Sequence, residues 1–253
     1  MLIAISIGNT RTSIGHLDEC GRVVSVMAQA TTRHADEYSG LAKQLTPLAR
    51  VVCASVVPQA TEALRKALFP RTMEVLTVRD DLGLTFATVN YAELGPDLYV
   101  NALASQWLWG QDCLNVDLGT GSTFCVIKRG VYCGTAIVPG MELSFAALTR
   151  RAALLSEVPL KKPSRVINVT TVECLQAGIY YGYLELVRGM IRRVQEEQGT
   201  LRVVLTGGIG AFLQEDLLDV VDAYEPYLSL TGIWVAATHA LASTLRDSTH
   251  SLE

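Results

Sequence analysis

The sequence predicts an α/β protein of two similar domains, each a mixed sheet with helices, with a cleft between them. Three observations lead there. Short apolar runs of strand length alternate with longer helical segments along the whole chain. One run, Ile5-Ser6-Ile7-Gly8-Asn9-Thr10-Arg11-Thr12, is echoed by Val116-Asp117-Leu118-Gly119-Thr120-Gly121-Ser122-Thr123 about one domain length later. The chain has 253 residues, 49% apolar and 18% charged, which is core enough for domains at 1–112 and 113–253 and too little charge for disorder.

Leu2–Ile7 reads as a strand, turned by Gly8-Asn9-Thr10 into a second strand over Thr12–Leu17. The Asp18-Glu19-Cys20-Gly21 turn leads to a third, Val23–Met27, which completes an antiparallel meander. A helix is expected over Asp36–Leu48, a strand over Val51–Val56, and a helix from Pro58 to Leu68 with proline in its tolerated first turn. Met73–Val78 reads as a further strand and Asp97–Trp109 as a helix. The second half repeats the plan, with strands over Cys113–Leu118, Phe124–Ile127 and Val131–Ile137, the last broken by Pro139-Gly140. Helices are expected over Glu142–Leu155 and Val172–Gln198, a strand over Leu201–Leu205 ending in Thr206-Gly207-Gly208, and a last helix over Ile233–Arg246 before a polar tail.

The composition narrows the partners. A net charge of −4 argues against a nucleic-acid surface, which is normally basic. The most apolar stretches, Val51–Val57 and Ile233–Ala237, are far shorter than the ~20 residues a bilayer demands. No basic and then apolar leader opens the chain, so a cytoplasmic protein is expected. Cys20, Cys53, Cys113, Cys125, Cys133 and Cys174 form no C-x-x-C pair and read as small core residues in a reducing compartment. The four histidines have no metal-ligand spacing.

The chemistry is expected at the glycine turns. A tight turn of Gly with Asn or Thr points several backbone N–H groups one way and so forms a nest for an oxyanion. Thr10, Thr12, Thr120, Ser122 and Thr123 add hydroxyls to the two echoed turns, and Asp117 stands where it could face a cation. Thr206-Gly207-Gly208 allows close approach after a strand, although the chain has neither a Walker A loop nor a G-x-G-x-x-G. Taken one at a time, such turns are as well read as plain hairpins; as a matched pair they read as a phosphate clamp. Asp97, in Leu94-Gly95-Pro96-Asp97, fits two roles, a first-turn helix cap or a general base on a substrate hydroxyl.

Together these residues resemble one family. Ile7-Gly8-Asn9-Thr10, Ser55-Val56-Val57-Pro58, Gly95-Pro96-Asp97 with Asn101, Val116-Asp117-Leu118-Gly119-Thr120, Gly134–Gly140, Thr171-Val172-Glu173 and Thr206-Gly207-Gly208 stand in the order of the type III pantothenate kinases. The resemblance runs nearly end to end. It implies the actin-like (ribonuclease H-like) fold shared by acetate and sugar kinases, heat-shock ATPases and actin. It implies a homodimer that phosphorylates pantothenate with ATP, the first step toward coenzyme A, using Mg²⁺ and a monovalent cation, K⁺ or NH₄⁺. By position, Ser6, Ile7, Gly8, Asn9, Thr10, Arg11, Thr12 and Ser13 would hold ATP phosphates with Thr120, Gly207 and Gly208. Asp117 would hold the monovalent cation. Gly95, Pro96, Asp97, Leu98 and Thr171 would line the pantothenate site, with Asp97 as the base.

The chain departs from the family pattern at four positions. Ser6 stands where the family usually has Asp, Leu98 where it has Arg, Thr88 where it has Tyr, and Cys125 where it has Asp. Two readings stay open on these residues: a pantothenate kinase, or a weakened paralogue that regulates by binding a nucleotide or a protein.

Overall fold

The computed structural model describes residues 1–46, 49–78, 84–87, 93–110 and 112–238. Thr88 and the tail 247–253 lie outside the described residues. Two sheets organise the chain. The first has the order β3-β2-β1-β4-β5, from β1 (Leu2–Ile7), β2 (Arg11–Leu17), β3 (Val23–Ala30), β4 (Arg50–Ser55) and β5 (Glu74–Val75). The second has the order β11-β10-β7-β8-β9-β6, from β6 (Thr85–Phe86), β7 (Cys113–Leu118), β8 (Gly121–Lys128), β9 (Val131–Pro139), β10 (Arg202–Thr206) and β11 (Ala223–Tyr224).

The echo in the sequence is an echo in topology. In each sheet the first strand of the half is central, the next two follow it as hairpins, and the fourth and fifth lie on its other side in parallel. β1 and β2 pair antiparallel from Leu2↔Leu17 to Ile7↔Thr12, and β2 pairs antiparallel with β3, which gives the expected meander. β6 adds a short parallel edge against β9. Burial repeats as well, since β1 and β7 are both buried throughout except at their fifth residue, Ser6 in one and Asp117 in the other.

The chain divides into two compact units, one of Met1–Gln111 with Ile127–Gly134 and Tyr227–Glu253, the other of Asp112–Val126 with Thr135–Pro226. In the first unit, Ile3, Ile5 and Ile7 share a core with α1 (Ala35–Ala42) and α2 (Pro58–Leu68), which contribute Tyr38, Leu41, Leu64 and Leu68. α2 starts at Pro58 and carries Arg65 and Lys66 in its last turn, where cations complement the helix dipole. α3 (Pro96–Trp109) is closed by Gly110 in the left-handed region at φ 58°. A last helix, α7 (228–238), lies against it so closely that a Cβ on Gly232 would come within 1.8 Å of the Val100 carbonyl oxygen. Ser229 donates to the buried Asn101 Oδ1 at 2.9 Å, and Trp107 meets Trp234 edge to face. The start of α3, where Asp97 sits, is thereby held by packing further along the helix.

In the second unit, α4 (Met141–Arg151) and the 28-residue α5 (Thr171–Gln198) precede β10, and a short α6 (Gly208–Leu213) follows it. Thr170 caps α5, accepting from the Glu173 N–H at 3.3 Å and donating to the Glu173 carboxylate at 2.7 Å. α5 buries Ala177, Tyr180, Tyr183, Leu184, Val187 and Ile191, a stripe at helical spacing.

Several elements differ from expectation. α1 ends at Ala42, short of Leu48, and residues 47–48 lie outside the described part. Met73–Val78 keeps only Glu74–Val75 as a ladder, because only Val52 and Cys53 of β4 stand opposite. α4 stops at Arg151, and the last helix starts earlier, at 228. Cys20 and Cys174 are exposed, unlike the buried Cys53, Cys113 and Cys125, so the core reading fails for those two.

The closeness of α3 and α7 sets a test. Gly232→Ala forces the two backbones apart, and overpacking of this kind costs ~1–3 kcal/mol or more. We expect a lower urea midpoint with an unchanged denaturant slope.

Candidate functional site

Most of the candidate residues sit where the two central strands end, and Asp97 and Thr171 sit at helix starts. In the first unit β1 runs into the Gly8-Asn9-Thr10 turn, closed by the Gly8 N–H on the Arg11 carbonyl at 3.0 Å. Asn9, Thr10 and Arg11 are exposed, Ser6 and Ser13 are half-buried and face each other in register, and Ile7 is buried. Thr12 is fully buried and its hydroxyl points inward to Tyr38 and Thr31 at 3.0 and 3.1 Å. It therefore holds the turn from behind. The same is true of Ser122, fully buried against the Tyr183 hydroxyl.

In the second unit three backbone segments converge on the end of β7. The Gly140 N–H donates to the Thr120 carbonyl at 2.9 Å, and a Cβ on Gly140 would stand 2.1 Å from the Gly119 oxygen. Gly207, at φ 90°, lies so close that a Cβ there would meet the Leu118 oxygen at 2.5 Å and Asp117 Oδ1 at 2.6 Å. Only glycine serves at either position. Asp117, Gly119, Thr120, Gly140 and Gly207 thus form one cluster, with Gly208 opening α6 beside it. Asp117 and the neighbouring carbonyls are oxygen donors of the kind that suit a hard cation. Among the described residues no group of three or more His, Cys, Asp or Glu side chains gathers as a metal cage. Thr171 is the first residue of α5 and is exposed.

Asp97 belongs to the first unit. It is the second residue of α3, half-buried, and its Oδ1 accepts from the Leu98 N–H at 2.9 Å. The same oxygen would be 2.3 Å from a Cβ on Gly95, so glycine there lets the carboxylate fold back over the helix start. Loss of hydration pushes its pKa above the usual carboxylate value, and the Leu98 N–H only partly offsets this. Pro96 fills the first helical position and Leu98 is half-buried beside it. One carboxylate oxygen thus bonds the first turn of its own helix, while the N-cap position itself is Gly95.

Sequence reasoning passed over Tyr38 and Tyr183, whose hydroxyls meet the residues just after each turn. Tyr183 lies in the buried stripe of α5, and nothing local to Tyr38 marks it. A surface depression of about 490 Å³ lined by Arg33, His34, Pro58, Glu62 and Lys66 holds none of the expected site residues. No helix among the described residues is long and apolar enough to cross a membrane.

Two mixed sheets of the same strand order, each ending in a glycine turn, define the fold of actin-like ATPases and sugar kinases. Solved structures agree on the fold. The activator of the 2-hydroxyisocaproyl-CoA dehydratase from Clostridium difficile, with bound ADPNP, is similar at 11% identity over 97% of both chains, with a TM-score of 0.58. The polyphosphate/ATP-glucomannokinase of Arthrobacter is similar at 17% identity over 95% of this chain and 98% of its own, with a TM-score of 0.50. The family model of type III pantothenate kinase matches residues 2–193. A type III pantothenate kinase of Endomicrobium trichonymphae is 34% identical, covering 92% of this chain and 97% of its own. The chain belongs to the type III pantothenate kinase family, a family of phosphotransferases.

The raised pKa of Asp97 gives a pH test. The folded state binds this proton more readily than the unfolded state, so the group's unfavourable contribution is fully present above its folded pKa and vanishes below the ordinary 3.8. Asp97→Asn removes it. We expect the variant to be the more stable protein at neutral pH, with the advantage shrinking as pH falls, measured by urea unfolding across pH 3–8.

Proposed function

We propose that this chain phosphorylates pantothenate with ATP to give 4′-phosphopantothenate, the entry step of coenzyme A synthesis. Asp97 carries the reading: a half-buried carboxyl with a raised pKa at the start of a helix, in the Gly95-Pro96-Asp97 context of the family. Its carboxylate takes the proton of the pantothenate hydroxyl, that oxygen bonds to the γ-phosphorus, and ADP leaves. Gly95, Pro96, Leu98 and Thr171 line the acceptor site in this reading. Ser6–Ser13, Thr120, Gly207 and Gly208 serve the nucleotide, the exposed turn residues by contact and the inward ones by holding shape. In this reading Asp117 would hold K⁺ or NH₄⁺, and Mg²⁺ bound with ATP would neutralise phosphate charge. Ser6 would offer such an ion a hydroxyl and no charge. The halves 1–112 and 113–253 are read as related domains, which the repeated strand order supports.

A homodimer fits the same reading. Leu154, Ile167 and Val169 of the second unit are 96%, 80% and 87% exposed, and Leu143, Leu148 and Val172 are about half exposed. That much bare apolar side chain between α4 and the start of α5 is the mark of a surface covered by a partner. We expect light scattering at micromolar concentration to give twice the chain mass, and a monomer throughout would remove this part of the proposal.

Ser6 and Leu98 favour a second reading, a paralogue that binds nucleotide without turnover. A coupled ADP-release assay with Mg²⁺ and K⁺ in excess separates the two. We expect pantothenate-dependent turnover that Asp97→Asn lowers at least ~10²-fold with little change in ATP affinity. Nucleotide binding with no turnover would favour the regulator.

A further inference from the structure

Behind each glycine turn lies the same ring of hydrogen bonds. In the first unit the Thr10 carbonyl accepts from the Thr31 N–H at 2.9 Å, the next N–H, of Thr32, reaches the Tyr38 hydroxyl at 3.4 Å, and that hydroxyl meets Thr12 Oγ1 at 3.0 Å. In the second unit the Thr120 carbonyl accepts from the Gly140 N–H at 2.9 Å, the Met141 N–H faces the Tyr183 hydroxyl, and that hydroxyl meets Ser122 Oγ. The parts match one for one. Each ring has a turn carbonyl, two successive N–H groups after the third strand, a tyrosine hydroxyl from a helix, and a buried hydroxyl two residues beyond the turn carbonyl.

Proton counting orders the first ring. Thr31 Oγ1 donates its single proton to the Gly8 carbonyl at 2.7 Å, which can only accept. Thr12 must then donate to Thr31, and Tyr38 must donate to Thr12. A one-way chain runs from Tyr38 through Thr12 and Thr31 to Gly8, the first residue of the turn. All four ring side chains are at least 96% buried, with Thr12, Tyr38 and Ser122 at 0% and Tyr183 at 4% exposure. In such surroundings a bond is strong and an orphaned hydroxyl is costly, so each ring tolerates one shape of turn.

We propose that Tyr38 and Tyr183 are positioning residues for the nucleotide, each fixing through its hydroxyl the glycine turn of its own unit. They touch no ligand; they keep the turn N–H groups aimed, so that phosphate meets donors already in place. This deepens the proposed function and rests on its reading of the two turns as phosphate-binding.

The experiment measures binding of Mg·ADP by calorimetry, without acceptor, to the full chain and to Tyr38→Phe and Tyr183→Phe. Each change keeps the ring packing and removes only the hydroxyl. Tyr180→Phe is the control, because Tyr180 is also buried on α5 yet its hydroxyl donates to Asp216 and to no turn residue. We expect all three variants to melt lower than wild type, and Tyr38→Phe and Tyr183→Phe alone to bind Mg·ADP roughly threefold to tenfold more weakly. In turnover assays the ATP KM should rise by a similar factor while the pantothenate KM holds. Affinity within twofold of wild type in both folded variants overturns the proposal and leaves the kinase reading standing. A wild type that binds no Mg·ADP overturns both. Should a phenylalanine variant not fold, Thr12→Val and Ser122→Ala open the same rings from the other side, with the same outcomes expected and the same result overturning the idea.

Discussion

The architecture turns on one constraint: the backbone at the ends of β1 and β7 must reverse direction and still have every buried polar group paired. Both strands are covered on both faces, so an unmet carbonyl there would cost as much as a lost hydrogen bond. The next N–H groups after the third strand of each half meet that demand, which places β3 and β9 beside their hairpins and aims the helices that follow. Turn, third strand and tyrosine-bearing helix form a unit that the chain uses twice. The exposed surface of each turn is what remains once the inner face is satisfied.

Much of this was legible in the sequence. Leu2–Ile7, Pro58–Leu68 and Cys113–Leu118 could be bounded because apolar runs there end at Gly or open at Pro, residues with fixed backbone meaning. The echo worked because it copies a strand with one polar residue followed by a glycine turn, and the structure copies burial along with it. The elements that escaped are of another kind. β6 and β11 are two residues long and exist only through distant partners, Val131–Tyr132 for one and Val204–Leu205 for the other. α6 is the helix expected after Thr206-Gly207-Gly208, but its opening Gly208-Ile209-Gly210 is a poor helix start, and a Cβ on Gly210 would stand a tight 3.3 Å from the Leu205 and Tyr224 side chains. Tertiary closeness placed a poor helix former there.

The site divides along the same line. Gly8, Asn9, Thr120, Asp117 and Asp97 could be named because turn chemistry and a proline-led helix start are local signals. Thr12 and Ser122 were named for the right neighbourhood and the wrong direction, since a period-2 strand fixes only the face and not what a buried hydroxyl bonds to. Tyr38 and Tyr183 reach their turns from helices remote in sequence, and no local rule links them. Leu98 and Ser6 are legible as departures, but what replaces the missing charge is a question of water and ligand.

The two copies of the device are alike in backbone and unlike in side chain, and the difference has direction. At the residue whose N–H closes the turn, the first unit has Thr31, which adds its hydroxyl to the Gly8 carbonyl, and the second has Gly140, where any side chain would strike the Gly119 oxygen. One turn is braced by an added bond; the other lies closer to the following helix because a side chain is absent. The fifth strand residue follows suit, neutral Ser6 in the braced copy and charged Asp117 in the close-packed one, where Gly207 also presses against the carboxylate. The braced turn leaves Asn9 and Thr10 exposed and has no carboxylate at the fifth strand residue. The close-packed copy gathers Asp117 with the Gly119, Thr120 and Gly207 backbone into an oxygen-rich strand end. One satisfied turn is thus used twice, and opposite choices at two positions leave one strand end neutral and the other charged.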